Sequence, residues 1–218
     1  MIVTLDGPAG AGKSSTARAL AARLGWCYMD TGAMYRAVAL TALERGVALD
    51  DAPLVAALAE RLEIAFRDGR VIADGRDVSA EIRTERITQA TRPVADAPPV
   101  RAALKRMQRR LAAGIDVVTE GRDQGSELFP DADVKVFLTA SPDERARRRH
   151  DEEVARGAVS SLEAVAQAQA RRDEGDRERP VGAMRPAADA VVLETDGLSP
   201  EEVVERLVAL VRARGGAT

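Results

Sequence analysis

Aromatic side chains are scarce: one Trp, two Tyr and three Phe make up 3% of the 218 residues, so the core is expected to be built from Ala, Leu and Val. A single cysteine, Cys27, excludes an internal disulfide framework and fits a reducing compartment. It falls in an expected strand and reads as a buried side chain. The lone His150 sits in an arginine-rich helical stretch with no partner nearby in sequence, which argues against a histidine general base. Lysine is nearly absent, represented only by Lys13, Lys105 and Lys135. The 32 cationic residues are offset by 35 acidic ones, and the net charge of −3 argues against a general nucleic-acid binder. No apolar segment approaches the length of a membrane span. No charged leader precedes a short apolar stretch, so no signal peptide and a cytoplasmic location are expected.

What is present is a hydrophobic fraction of 45%, ample for one α/β domain with an elaboration or a lid. Short apolar runs predict strands over Ile2–Leu5, Trp26–Met29, Val117–Thr119, Lys135–Leu138 and Ala190–Leu193. Helices are expected over Ser15–Leu24, Ala33–Glu44, Pro53–Leu62, Pro99–Ala112, Pro142–Arg156, Ser161–Asp173 and Pro200–Arg214. Ser141-Pro142 and Ser199-Pro200 read as N-caps with proline in the first turn. Strands separated by helices imply a parallel sheet covered on both faces. Residues 62–82 break the rhythm with short β-like runs and the turn dipeptides Asp68-Gly69 and Asp74-Gly75, which predict a small antiparallel insertion. A frayed tail is expected from Gly215 to Thr218.

The stretch Gly7-Pro8-Ala9-Gly10-Ala11-Gly12-Lys13-Ser14 follows the first strand and opens the first helix, the context of a phosphate-cradling P-loop. Its glycines let backbone N–H groups turn inward, and the helix start adds its dipole. Lys13 can reach β- and γ-phosphate oxygens, the Ser14 hydroxyl can sit on Mg²⁺, and Ser15 completes the loop. A bound nucleoside triphosphate is the expectation. Asp6, just before the loop, either orients magnesium waters or caps the turn.

Three further clusters lie at expected strand ends or on a late helix. Asp30-Thr31-Gly32-Ala33-Met34-Tyr35-Arg36 offers a hydroxyl and a guanidinium suited to the phosphate of a second nucleotide. Glu120-Gly121-Arg122-Asp123 offers a cation for a transferring phosphoryl group and a carboxylate that can accept from an exocyclic amine. Arg172, Asp176 and Arg179 share one helical face, and arginines closing over a site can neutralise charge on phosphoryl oxygens.

Taken in order, these motifs resemble the bacterial cytidylate kinases of the nucleoside monophosphate kinase group, essentially end to end. The resemblance implies a three-layer P-loop NTPase fold with a five-stranded parallel sheet, a β insertion in the monophosphate-binding region and a helical lid. It implies a single domain with core segments 1–30, 113–141 and 181–218. The acceptor region would span about 31–112, its β insertion about 62–82, and the lid about 142–180. It implies transfer of the ATP γ-phosphoryl group to CMP and dCMP with Mg²⁺, by direct in-line attack. Thr31, Arg36, Arg122 and Arg179 would hold the acceptor phosphate. Thr91, Arg101 and Asp123 would read the cytosine ring, and Arg172 and Asp176 would contact the ribose. Lys13, Arg122 and Arg179 would carry the transfer, with Arg145 or Arg149 as further lid cations. A monomer acting on small molecules, without nucleic acid or membrane, is the implied state. Another small-molecule P-loop kinase, shikimate-type or uridylate-preferring, and a non-catalytic nucleotide-binding regulator stand as alternatives.

Overall fold

The computed structural model describes residues 1–67, 69–155, 157 and 159–215. The expected turn at residue 68, the end of one helix at residue 156 and the tail over 216–218 lie outside the described residues. In chain order the first half forms β1 (Ile2–Asp6), α1 (Lys13–Leu24), β2 (Cys27–Asp30), α2 (Thr31–Glu44), α3 (Ala52–Arg61), β3 (Ile64–Arg67), β4 (Arg70–Ala73), β5 (Arg76–Asp77), α4 (Glu85–Asp96) and α5 (Pro98–Ala112). The second half forms β6 (Val117–Glu120), β7 (Val134–Thr139), α6 (Pro142–Ala155), α7 (Leu162–Glu178), β8 (Val191–Glu194) and α8 (Pro200–Ala213). The chain divides into two compact units, Met1–Cys27 with Asp116–Thr218, and Tyr28–Ile115.

The main sheet is five-stranded with the order β2-β6-β1-β7-β8. β1 pairs in parallel with β6 on one side and β7 on the other, Val3 lying opposite both Val118 and Val134. A central strand covered on both faces is withdrawn from water along its length, and in β1 Val3, Leu5 and the intervening Thr4 are all fully buried. From β1 the neighbouring strands extend in opposite directions, which makes its carboxyl end the topological switch point where α/β folds bind ligands. Ser141 and Ser199 cap α6 and α8 as expected; Ser199 forms a full capping box with Glu202. Cys27 is exposed, contrary to the expectation of a buried side chain, because it opens β2 at the edge of the sheet. Its N–H donates to the Asp116 carbonyl at 3.0 Å.

In the second unit, Ile64 pairs with Ala73 and Ile72 with Asp77 in a three-stranded antiparallel sheet, β3-β4-β5. This is the expected insertion, and Asp74 and Gly75, both at positive φ, make its second turn. The core of the unit is aliphatic, with Met34, Val38, Val55, Ile82 and Leu104 fully or almost fully buried. The helix α4 is not anticipated in the sequence, because Pro93 interrupts its pattern and only Ile87 and Val94 are fully withdrawn from water. α7 also runs five residues past the expected end at Asp173, carrying Gly175 inside the helix. Among the described residues no helix is long and apolar enough to cross a membrane.

Candidate active site

The loop Gly7–Gly12 bridges β1 and α1. A Cβ at Gly7, where φ is +142°, would lie 2.0 Å from the Leu138 carbonyl oxygen, so the loop passes too close to β7 for any side chain. Gly12 is left-handed and no side chain caps α1, which leaves the helix's first amides facing the loop, as an anion site requires. Ser14 is exposed in the first turn, and Ser15 Oγ donates to the Gly12 carbonyl at 2.8 Å. Lys13 is 5% exposed and Nζ donates to the Pro8 carbonyl at 2.6 Å. Burial, reinforced by Arg122 and Arg172 and opposed by Glu120 and Asp6, pushes its ammonium down to about 7. A polyphosphate placed there would relieve that cationic crowding and restore the lysine's charge.

The turn that Asp6 caps is the one after β6. Its two carboxylate oxygens accept from the Gln124 and Gly125 N–H groups, each at 2.8 Å. These amides open a single π-helical turn, Gln124–Leu128, that follows Arg122 and Asp123. Burial, with Asp123 adding to it, pushes the Asp6 carboxyl up to about 6 despite both backbone hydrogen bonds. Asp6 thus fixes the backbone that presents the two candidate substrate residues.

Arg122 and Arg179 meet on one carboxylate. Asp176 Oδ2 accepts from Arg122 Nε and Oδ1 from Arg179 Nη2, both at 2.7 Å. Burial lifts the Asp176 carboxyl, but Arg122, then Arg179 and Arg172, outweigh that and hold it below the usual carboxylate range. Asp123 is 5% exposed, whereas Arg172 projects to solvent while its charge acts on both Lys13 and Asp176. Of the two further cations expected on α6, Arg145 is buried against the glycine loop, and Arg149 Nε donates to Glu153 of its own helix at 2.8 Å. His150 Nε2 lies 3.0 Å from the Ser160 carbonyl oxygen, a local partner that sequence does not reveal.

The remaining candidates belong to the second unit. Asp30 caps α2 by accepting from Ala33 N–H at 2.8 Å, and Thr31 begins that helix, 3% exposed. Arg36 Nη2 donates to Asp30 Oδ2 at 3.2 Å, and its buried Nε has no hydrogen-bond partner among the described residues. Arg101 is 3% exposed, its guanidinium 5.6 Å from the centre of the Tyr35 ring, with Nη1 donating to the Ala95 carbonyl at 3.1 Å. Thr91 Oγ1 donates to the Ile87 carbonyl at 2.6 Å, so a ligand would meet the hydroxyl as an acceptor.

A glycine loop with a buried lysine at the central switch point of a parallel sheet, ringed by arginines, defines the class of P-loop kinases. The chain belongs to the cytidylate kinase family, whose model matches residues 3–213. It is 51% identical over 212 residues to a cytidylate kinase of Rhodopirellula baltica (strain DSM 10527 / NCIMB 13988 / SH1), covering 97% of this chain and 93% of that one. It is 48% identical over 222 residues to a cytidylate kinase of Geobacter sulfurreducens (strain ATCC 51573 / DSM 12127 / PCA), covering 100% and 95%. A crystal structure of shikimate kinase from Bacteroides thetaiotaomicron superposes with a TM-score of 0.50 at 16% identity, covering 97% and 98%, a likeness of fold alone.

Proposed function

We propose that this enzyme phosphorylates both CMP and dCMP from ATP by direct in-line transfer, with the residues above in defined roles. Membership of the cytidylate kinase family makes it an ATP-dependent nucleoside monophosphate kinase acting on CMP. The observation that carries the transfer chemistry is the cation set of the first unit: Lys13 buried at the glycine loop, and Arg122 and Arg179 on one carboxylate. A CMP phosphate oxygen bonds to the γ-phosphorus as the bond to the β–γ bridging oxygen breaks, and ADP leaves with that electron pair. Charge then spreads over the equatorial oxygens, which Lys13, Arg122 and Arg179 stabilise.

Gly7, Pro8, Ala9, Gly10, Ala11, Gly12, Lys13, Ser14 and Ser15 hold the donor phosphates. Both Asp6 oxygens are occupied by backbone amides, whereas Ser14 is exposed in the first turn of α1, so Ser14 is the residue that would hold Mg²⁺. Such an ion, when bound, neutralises phosphate charge. Thr31, Arg36, Arg122 and Arg179 take the acceptor phosphate; the unpartnered Nε of Arg36 supports that role. Thr91, Arg101 and Asp123 read the base, and Arg172 and Asp176 the ribose. Residues 31–112 form the acceptor-binding region and 142–180 the lid over the core, in a monomer acting in the cytoplasm.

The test is ADP formation with CMP, dCMP, UMP and AMP as acceptors. CMP and dCMP should be turned over far better than the other two. A preference for UMP or AMP would overturn the reading, as would ATP binding without transfer to any acceptor.

A further inference from the structure

One buried ionic cluster against the donor loop takes no part in the roles above. Asp173, on α7, is 2% exposed and uses both carboxylate oxygens. Oδ1 accepts from the Ala9 N–H at 3.3 Å, and Oδ2 accepts from Arg145 Nη1 at 2.5 Å. The same Arg145 nitrogen donates to the Ala9 carbonyl at 3.1 Å, while Nε donates to the Ala140 carbonyl at 3.1 Å. One turn earlier on α7, Gln169 Nε2 donates to the Arg145 carbonyl at 3.2 Å. It lies 2.7 Å from where a Cβ at Gly10 would stand. Both peptide groups of Ala9 are therefore claimed by side chains of α6 and α7.

We propose that Asp173 is a positioning residue of the donor site, holding Arg145 so that the pair clamps the Ala9 backbone and sets the orientation of the triphosphate loop. The inference rests on the donor-site reading given above. A buried ion pair is by itself weak evidence for stability, since apolar side chains fill the same space as well or better. What an apolar pair does not supply is a carboxylate for the Ala9 N–H and a guanidinium for its carbonyl. With the peptide planes on both sides of Ala9 fixed, the amides that follow are presented in one geometry, before any nucleotide arrives. The Arg145 guanidinium is thereby engaged by Ala140, Ala9 and Asp173 together.

Asp173→Asn keeps the volume and an acceptor for the Ala9 N–H but removes the charge that holds Arg145. Calorimetric binding of a non-hydrolysable ATP analogue and the KM for ATP should each weaken about tenfold, whereas the KM for CMP should stay within about twofold. Arg145→Gln should reproduce the loss, and the double variant should lose little more than either single one, because the two act as a unit. An Asp173→Asn enzyme with a lowered Tm but unchanged analogue affinity would overturn the proposal, as would losses that multiply in the double variant. If Asp173→Asn does not fold, Arg145→Lys, which keeps the ion pair and loses the planar fork, reads the same split; unchanged analogue affinity there overturns the proposal. Wild-type turnover of CMP is measured in parallel. Its absence would refute the functional reading, while the analogue titrations would still decide the role of Asp173.

Discussion

Asp176 Oδ2 accepts from Arg122 Nε at 2.7 Å and so ties α7 to the turn after β6. The second oxygen of the carboxylate takes Arg179, so two like charges are held together by one counter-charge. Asp176→Asn should splay the pair and lower kcat/KM for CMP by about ten- to a hundredfold at neutral pH. Its carboxyl is held below the usual range, so its contribution to stability is complete above pH 3.8 and is lost only as pH falls through the lower folded value. Urea unfolding of wild type and variant should therefore differ by the same amount at mildly acidic and neutral pH. A difference that changes across that range would contradict the assignment.

Asp6 makes the opposite prediction. Its folded carboxyl titrates at about 6 rather than 3.8, so the folded state binds the extra proton between those values. The contribution to stability is present at the acid end of that window and is lost as pH rises through the folded value. Asp6→Asn removes this titration. The stability gap between wild type and variant should be wider near pH 4.5 than near pH 7.5, by on the order of 2–3 kcal/mol. Equal gaps at the two pH values would refute burial as the source of the shift.

Burial and the neighbouring arginines make the Lys13 amine hold its proton weakly, at about 7. A polyphosphate beside it favours the ammonium, so binding at higher pH draws a proton from solution. ATP titrations near pH 8 in buffers of different ionisation enthalpy should show close to one proton more taken up by wild type than by Lys13→Met. The same variant should lose roughly 10²- to 10³-fold in kcat. Identical buffer dependence in the two proteins would exclude the lysine as the group that titrates.

Asp123 is the candidate that distinguishes cytosine from uracil, since it can accept from the 4-amino group that uracil lacks. Asp123→Ala should lower kcat/KM for CMP about ten- to a hundredfold and that for UMP much less. An unchanged CMP/UMP ratio would remove it from base recognition.

The donor loop is legible in sequence because its chemistry is local: a strand, a run of glycines and a lysine at a helix start are consecutive. The capping serines are legible for the same reason. Other features are written in contacts between distant residues. Nothing near Asp6 says that its partners are the amides of Gln124 and Gly125, and nothing near Asp173 points to Ala9, 164 residues away. Local signals also mislead where tertiary packing overrides them. Pro93 hides α4, the helix expected to end at Asp173 continues through Gly175 to Glu178, and the apolar company of Cys27 conceals its place on an open edge.

The hydrogen bond from Cys27 to Asp116 has a consequence for the history of such a chain. It places the points where the polypeptide leaves and re-enters the first unit side by side. The entropy of closing a loop between neighbouring ends grows only logarithmically, by about 0.6 kcal/mol for each doubling of length. The donor unit is in this respect a socket, indifferent to the size of what is spliced between these two residues. Exchange of the inserted segment offers evolution, or an engineer, a way to replace the second unit that leaves the glycine loop untouched.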